Sequence, residues 1–217
     1  IGPRHDRTAV TRALHARSLA ELGRYGEAVD VQTFNVSQVA ARTPAEPEAV
    51  QLAQLQLVRL LTQAGRHDDA VALGRTVSAF FDARYAQPTR YREAARWYLA
   101  DALLGAGQRT EGLRTLQASL TQAEQMGKAN NPLEQAGKRL LQAVAARGVP
   151  GEDGAAEAAN QACQTYAAAL GPTNPRSLKC LAVARWLDAL HAPAAQRAQA
   201  LSRFIAARDA AVAPLAA

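Results

Sequence analysis

The sequence has few aromatic residues and few of the β-branched runs that form strands. Phe, Trp and Tyr together make up 5% of the 217 residues, whereas hydrophobic residues as a class reach 48%, with Ala and Leu plentiful. Ala and Leu favour helix, and the hydrophobic content is ample for a buried core. The composition therefore predicts an all-α protein.

The sequence also lacks an apolar stretch of the roughly 18 residues that a membrane-spanning helix needs. It opens with IGPRHDRTAV, which has neither an initiator Met nor the charged-then-apolar pattern of a secretory signal. We therefore interpret it as a piece of a longer protein whose other segments decide the compartment. An apolar span between this piece and an upstream domain would place it outside the inner membrane, and without that span it would be cytosolic.

Residue patterns that carry catalysis or bind metals are missing. There is no Walker motif, and the glycine cluster GAGQRTEG at 105–112 follows a predicted helix rather than a strand, which is typical of a hairpin turn. The four histidines, at positions 5, 15, 67 and 191, show no metal-ligand spacing. No Ser or Thr carries an associated His/Asp signature. We expect no enzyme activity, no cofactor and no metal.

Lysine is scarce although the chain is basic. The net charge is +6, and of the 25 basic residues only Lys128, Lys138 and Lys179 are lysines. Frequent Arg and Ala are typical of GC-rich bacterial genomes, so one interpretation is a solvated basic surface. The other is a partner that is acidic, phosphorylated or a nucleic acid. The composition leaves both interpretations open.

Against these absences stands one strong pattern, a repeat of 42 residues anchored at Gly23, Gly65 and Gly107. A leucine precedes each glycine by four residues, and a small residue, where two helices can cross closely, follows it by five. Apolar residues on both sides follow helical spacing, so each unit is predicted as helix, glycine turn, helix. A fixed period of this length indicates a solenoid of stacked hairpins. The flanking positions are Leu19, Leu61 and Leu103 before the glycines, and Ala28, Ala70 and Gly112 after them.

The repeat continues less clearly into a fourth and a fifth unit. The turn GVPGEDG at 148–154 belongs to the fourth, and Val183 and Leu187 keep the register in the fifth. Proline-containing loops separate the units. We predict five hairpins, about ten helices, in a single domain over residues 1–213 with a frayed tail at 214–217. The repeats lie near 1–42, 43–86, 87–129, 130–170 and 171–213.

A short motif recurs at both ends of the chain: residues 2–8 read GPRHDRT and residues 171–177 read GPTNPRS. Both resemble the LGPxHPxT opening of kinesin-light-chain-type tetratricopeptide (TPR) repeats, with Asp6 in place of the motif's Pro and Asn174 in place of its His. The resemblance spans the chain and implies a right-handed superhelical α-solenoid. In bacteria, such repeats resemble the C-terminal regions of serine/threonine kinases and winged-helix regulators, an analogy of family alone.

Three classes of function follow from these patterns. The first is a non-catalytic protein- or peptide-binding module, serving as the sensor or regulatory domain of a longer bacterial signalling protein. The second is a structural scaffold that self-associates, for example as a homodimer. The third is a basic solenoid that binds nucleic acid, which the scarcity of aromatic stacking groups disfavours.

The resemblance also implies a concave groove lined by the first helix of each hairpin. A position two residues from the buried stripe points to the opposite side of a helix. Arginines there would hold the carboxylates or phosphates of an acidic segment, and Leu55 and Trp97 would give it an apolar floor. In the alternative, Leu55 and Trp97 pack against the neighbouring repeat, Asp101 pairs with Arg59, and the arginines are merely solvated. The predicted groove residues are Arg17, Leu55, Arg59, Trp97, Asp101, Arg139 and Arg185.

The two cysteines, Cys163 and Cys180, lie at similar distances on either side of a predicted loop centred near Pro172. Antiparallel helices would carry them at about the same height, and a disulfide further requires Cα atoms within about 7 Å. One interpretation is a disulfide, which would favour an oxidising compartment such as the periplasm. The other is a pair of buried free thiols.

Overall fold

The structure, a computed structural model, describes residues 5–42, 46–127, 131–147 and 154–212. Over these ranges the chain forms ten α-helices and a short 3-10 turn at Ala194–Gln196, without a strand, which confirms the all-α prediction. None of the helices in these ranges is both long enough and apolar enough to cross a membrane. The helices are α1 (Asp6–Glu21), α2 (Tyr25–Ala40), α3 (Pro47–Gln63), α4 (His67–Arg84), α5 (Arg90–Gly105), α6 (Arg109–Gln125), α7 (Pro132–Ala146), α8 (Ala155–Leu170), α9 (Pro175–His191) and α10 (Arg197–Val212).

Contacts between Cα atoms divide the chain into two compact units, one up to Met126 and one from Gly127 onward. In the first unit, α1 to α6 pack in chain order as three hairpins, and the first helices of neighbouring hairpins touch, α1 against α3 and α3 against α5. In the second unit, α7 to α10 pack in the same order, with α7 against α9. The prediction of one domain over residues 1–213 stays a prediction, and the tail at 214–217 lies outside the described residues.

The three anchor glycines share one turn conformation. Gly23, Gly65 and Gly107 have φ of 77°, 74° and 76°, a region that residues with a side chain rarely adopt. The residue after each glycine donates its N–H to the backbone carbonyl of the leucine that lies four residues before the glycine, at 2.9, 2.9 and 2.8 Å. This is the Schellman motif, which ends a helix by satisfying its last carbonyls. The 42-residue repeat therefore ends a helix in the same way, with a left-handed glycine, in each of the first three units.

The small residues that follow the glycines lie where helices cross. Ala70 is 0% exposed, as predicted, and Ala28 and Gly112 are also buried. A Cβ added to Gly112 would lie 2.8 Å from the Leu104 side chain, closer than van der Waals contact allows. Large side chains pack elsewhere in the core, where the ring centroids of Phe81 and Tyr85 lie 6.3 Å apart in a stacked arrangement. The close crossings thus explain why small side chains recur in the sequence.

Side-chain caps begin the helices that carry the opening motif. The Asn174 side chain accepts from the Arg176 N–H at 2.9 Å, and His5 accepts in the same way from the Arg7 N–H at 3.1 Å. Asn131 does the same before α7. His5 and Asn174 occupy the same place in the motif, so the departure from its pattern at Asn174 keeps the capping function.

The second unit has an alanine-rich core and one covalent link. Ala159, Ala162 and Ala184 are buried together with the two cysteines. A disulfide joins Cys163 of α8 to Cys180 of α9, with their Cα atoms 5.4 Å apart. The structure thus brings together the two residues that the spacing predicted at one height.

Candidate functional site

Leu55 lies in the core of the first unit. Its side chain is 3% exposed and packs in the same cluster as Val58 and Leu61. The reason is that α3 packs against four helices, α1, α2, α4 and α5, so most of its circumference is covered. Leu55 therefore belongs to the core. Its side chain is not available as part of the apolar floor that the groove interpretation predicted.

Arg59 on α3 and Asp101 on α5 interact electrostatically. Asp101 is partly buried, and burial raises the pKa of its carboxyl, while the charges of His67 and Arg59 act in the opposite direction. The interaction links the first helices of adjacent hairpins. It also reduces the positive charge that the face offers at this point.

Arg17 and Trp97 occupy the same face on α1 and α5. Arg17 is exposed and its Nε lies 3.1 Å from a Glu21 carboxylate oxygen, a solvent-exposed pair that contributes little to stability. Trp97 is partly exposed, and its ring centroid lies 5.3 Å from that of Tyr98. Both side chains therefore keep surface that a bound segment can contact.

Arg139 and Arg185 belong to the second unit. Arg139 is exposed on α7 and lines a cavity of about 290 Å³ between α7 and α8. Arg185 on α9 forms an ion pair with Asp188, one turn further on, at 2.8 Å. One groove running along all five first helices stays a prediction.

A contact that sequence reasoning missed places His67 against Gly105. A Cβ on Gly105 would overlap the imidazole ring, and the ring nitrogen Nδ1 is buried with no hydrogen-bond partner among the described residues. The corresponding positions of the first two units carry Glu21 and Gln63. The change to glycine at position 105 was the one signal of this contact in the sequence. From the sequence alone, Gly105 had been interpreted as part of the hairpin turn.

The first unit also contains an open cavity of about 690 Å³ between α5, α6 and the loop that joins α4 to α5. Arg92 and Arg96 line it from α5, and both donate to Oδ1 of Asp82, at 2.6 and 2.9 Å. Arg114 and Gln122 line it from α6. None of the seven predicted groove residues is among its described lining. The repeat pattern did not reveal it because the arginines meet only through helix packing.

Metal-ligating side chains do not gather in the described part of the chain. No group of three or more His, Cys, Asp and Glu side chains there is placed to hold an ion.

No family model matches the sequence, and no curated protein matches it either. Solved structures do resemble it. A crystal structure of the nearly identical TPR-like repeats of a kinesin light chain from Podosopora anserina, in a singly substituted form, aligns over 100% of both chains, with a TM-score of 0.67 and 19% identity. A second crystal structure of these repeats covers 94% of this chain and 97% of that one, with a TM-score of 0.65 and 19% identity.

At this level of identity the likeness shows the fold, which is that of TPR-like repeats. It confirms the resemblance noted in the sequence. TPR-like repeats are generally protein-interaction modules and are typically non-enzymatic scaffolds. Repeat proteins of this kind bind partners over extended concave surfaces.

Proposed function

We propose that this chain is a non-catalytic module that binds a protein or peptide segment through the face formed by its first helices. The observation that carries the proposal is the packing of α1, α3 and α5 as neighbours in a TPR-like fold. The face includes Arg17, Arg59, Trp97 and Asp101, which recur at two positions of the 42-residue repeat.

The proposed partner carries acidic groups beside an apolar side chain. Guanidinium groups bind carboxylates with two parallel hydrogen bonds, and the face offers more arginines than acids. With Leu55 in the core, Trp97 is the apolar anchor of the proposed site in the first unit, since partly exposed aromatic rings commonly supply binding energy at interfaces. Arg139 and Arg185 extend the same chemistry to the second unit.

Selection of a random peptide library on the immobilised chain tests this proposal. We expect enrichment of peptides that combine Asp or Glu with an aromatic or aliphatic residue, and binding that weakens as salt rises. The double variant Arg59→Glu with Arg185→Glu should bind the enriched peptides on the order of tenfold more weakly, or worse.

The matched control is the double variant Arg75→Glu with Arg203→Glu. It has the same change of charge, and both residues are exposed on second helices, α4 and α10. Control and wild type should bind alike, with helicity unchanged by circular dichroism. Equal affinity of Arg59→Glu with Arg185→Glu and of wild type would refute the assignment of this face.

We further propose that the module serves as the sensor or regulatory domain of a longer bacterial signalling protein such as a serine/threonine kinase. Support comes from the resemblance of the sequence to the C-terminal repeat regions of such proteins. Sequencing the parent gene upstream of Ile1 tests the proposal. An upstream kinase or winged-helix domain supports it, and any other upstream domain contradicts it.

A second candidate function, self-association, is favoured by exposed apolar side chains on the first hairpin. Val10 and Leu14, one turn apart on α1, and Phe34 on α2 are each more than half exposed. Light scattering over a range of concentrations should then show a dimer that Leu14→Lys dissociates. A wild-type chain that stays monomeric at all concentrations removes this candidate.

A further inference from the structure

We propose that the cavity between α5, α6 and the α4–α5 loop binds an oxyanion with two negative charges, of the phosphate monoester class. The proposal goes beyond peptide binding by the first helices, because the cavity is lined by other residues. Its described lining lies in the first unit and includes Arg92, Arg96, Arg114, Thr121, Gln122 and Gln125.

The charge of the cavity is the first argument. Arg92, Arg96 and Arg114 line it, and Asp82 is the carboxylate that faces the first two. Three guanidinium groups against one carboxylate leave an excess of two positive charges. The side chains of Arg92 and Arg96 are only 20% and 23% exposed, so water screens this excess less than it would on an open surface. A dianion balances it.

An unpaired donor in the cavity wall is the second and independent argument. Gln122 is 4% exposed, and its Oε1 faces the Arg96 guanidinium at 3.5 Å. Its Nε2 is buried and has no hydrogen-bond partner among the described residues. Unpaired buried N–H groups are rare because the lost hydrogen bond to water is not replaced. An acceptor atom held in the cavity would satisfy Nε2.

The available groups are donors, which favours phosphate over a carboxylate. Arg96 directs one nitrogen to Asp82 and keeps further N–H groups, and Arg114 forms no ion pair or hydrogen bond within the described part of the chain. A phosphate monoester carries a charge of about −1.5 to −2 at neutral pH and three strong acceptor oxygens. The cavity, at about 690 Å³, is also within the size range of small-molecule sites. Thr121 and Gln125 give polar groups one turn apart for the moiety that carries the phosphate.

Isothermal titration and amide NMR of the whole chain, at constant ionic strength set by chloride, test the proposal. The ligands are inorganic phosphate, O-phosphoserine and a serine-phosphorylated heptapeptide, with acetate and the unphosphorylated peptide as references. We expect saturable binding of the phosphate-bearing ligands and amide shifts in α6 around Gln122. The relative affinities of phosphoserine and phosphopeptide then distinguish a small-molecule source from a protein source.

Variants distinguish binding in the cavity from nonspecific attraction of anions to a basic surface. Arg114→Gln should weaken phosphate binding about tenfold or more without loss of helicity, because Arg114 has no partner to lose. Gln122→Met should weaken binding while leaving stability unchanged or higher, since it removes the unpaired donor. Arg75→Gln, an exposed arginine of α4 outside the cavity, is the control and should bind like wild type. Equal binding by Arg114→Gln, Gln122→Met and wild type, no saturable binding, or equal affinity for acetate and phosphate would each overturn the proposal.

Discussion

Replacing Gly65 by alanine isolates the backbone conformation on which the repeat depends. Gly65 has φ of 74°, and a Cβ built on it meets no atom within 4 Å. The substitution therefore adds no steric clash with the surroundings, and its effect comes from the backbone alone. A left-handed conformation costs a residue with a side chain about 1–2 kcal/mol. The lower entropy of the unfolded chain offsets about 0.4–1 kcal/mol of this, so we expect a net loss of about 1 kcal/mol of unfolding free energy.

Gly26 provides the matched control for this substitution. It lies in the first turn of α2, has a helical backbone, and also has open space where a Cβ would be. Gly26→Ala should therefore stabilise the protein, by about 0.5–1 kcal/mol at most. Urea unfolding followed by far-UV circular dichroism measures both variants. The conclusion that the repeat depends on a left-handed glycine at each turn is wrong if Gly65→Ala is as stable as wild type. It is also wrong if the two alanine substitutions shift stability in the same direction.

Three further predictions concern packing, covalent linkage and pH. Ala70→Phe should overpack a crossing that is 0% exposed and cost about 1–3 kcal/mol, whereas Phe at the exposed Ala72 should leave the urea midpoint nearly unchanged. Mass spectrometry of non-reduced protein should show Cys163 linked to Cys180, and alkylation of both thiols would contradict the link. Burial lowers the pKa of Lys138 to about 8, so between pH 8 and 10.5 the unfolded state binds more protons and stability should rise with pH. Lys138→Met should remove that rise. A variant whose stability still rises with pH as in the wild type would refute the assignment of the rise to Lys138.

The helical hairpins were predictable from the sequence because their causes are local. A Schellman turn needs a residue that adopts a left-handed backbone, which is usually glycine. The glycine recurs with the period of the repeat, and so does the buried leucine of the helix four residues earlier. The crossings needed small residues such as Ala70 at a fixed distance from that turn. A cap needs one side chain, so His5 and Asn174 could differ in type and keep the function.

The surface was harder to predict because it depends on which helices cover which. Helical spacing places Leu55 opposite the stripe of α3, yet α3 has neighbours on four sides. The contact between His67 and Gly105, and the meeting of Arg92 with Asp82, join helices whose relative rotation the 42-residue pattern does not encode. Contacts between residues of different hairpins therefore could not be predicted from the sequence and became visible only in the structure.

The central claim is that the first helices present the face that binds a partner. The most direct test is an NMR map of chemical-shift changes on titration of the chain with a peptide from the library selection. In the first unit, the account predicts changes at the Trp97 indole N–H, at the Arg17 and Arg59 guanidinium N–H groups, and at amides of α1, α3 and α5. Changes confined to α2, α4 and α6, with the Trp97 indole signal unmoved at saturation, would contradict it.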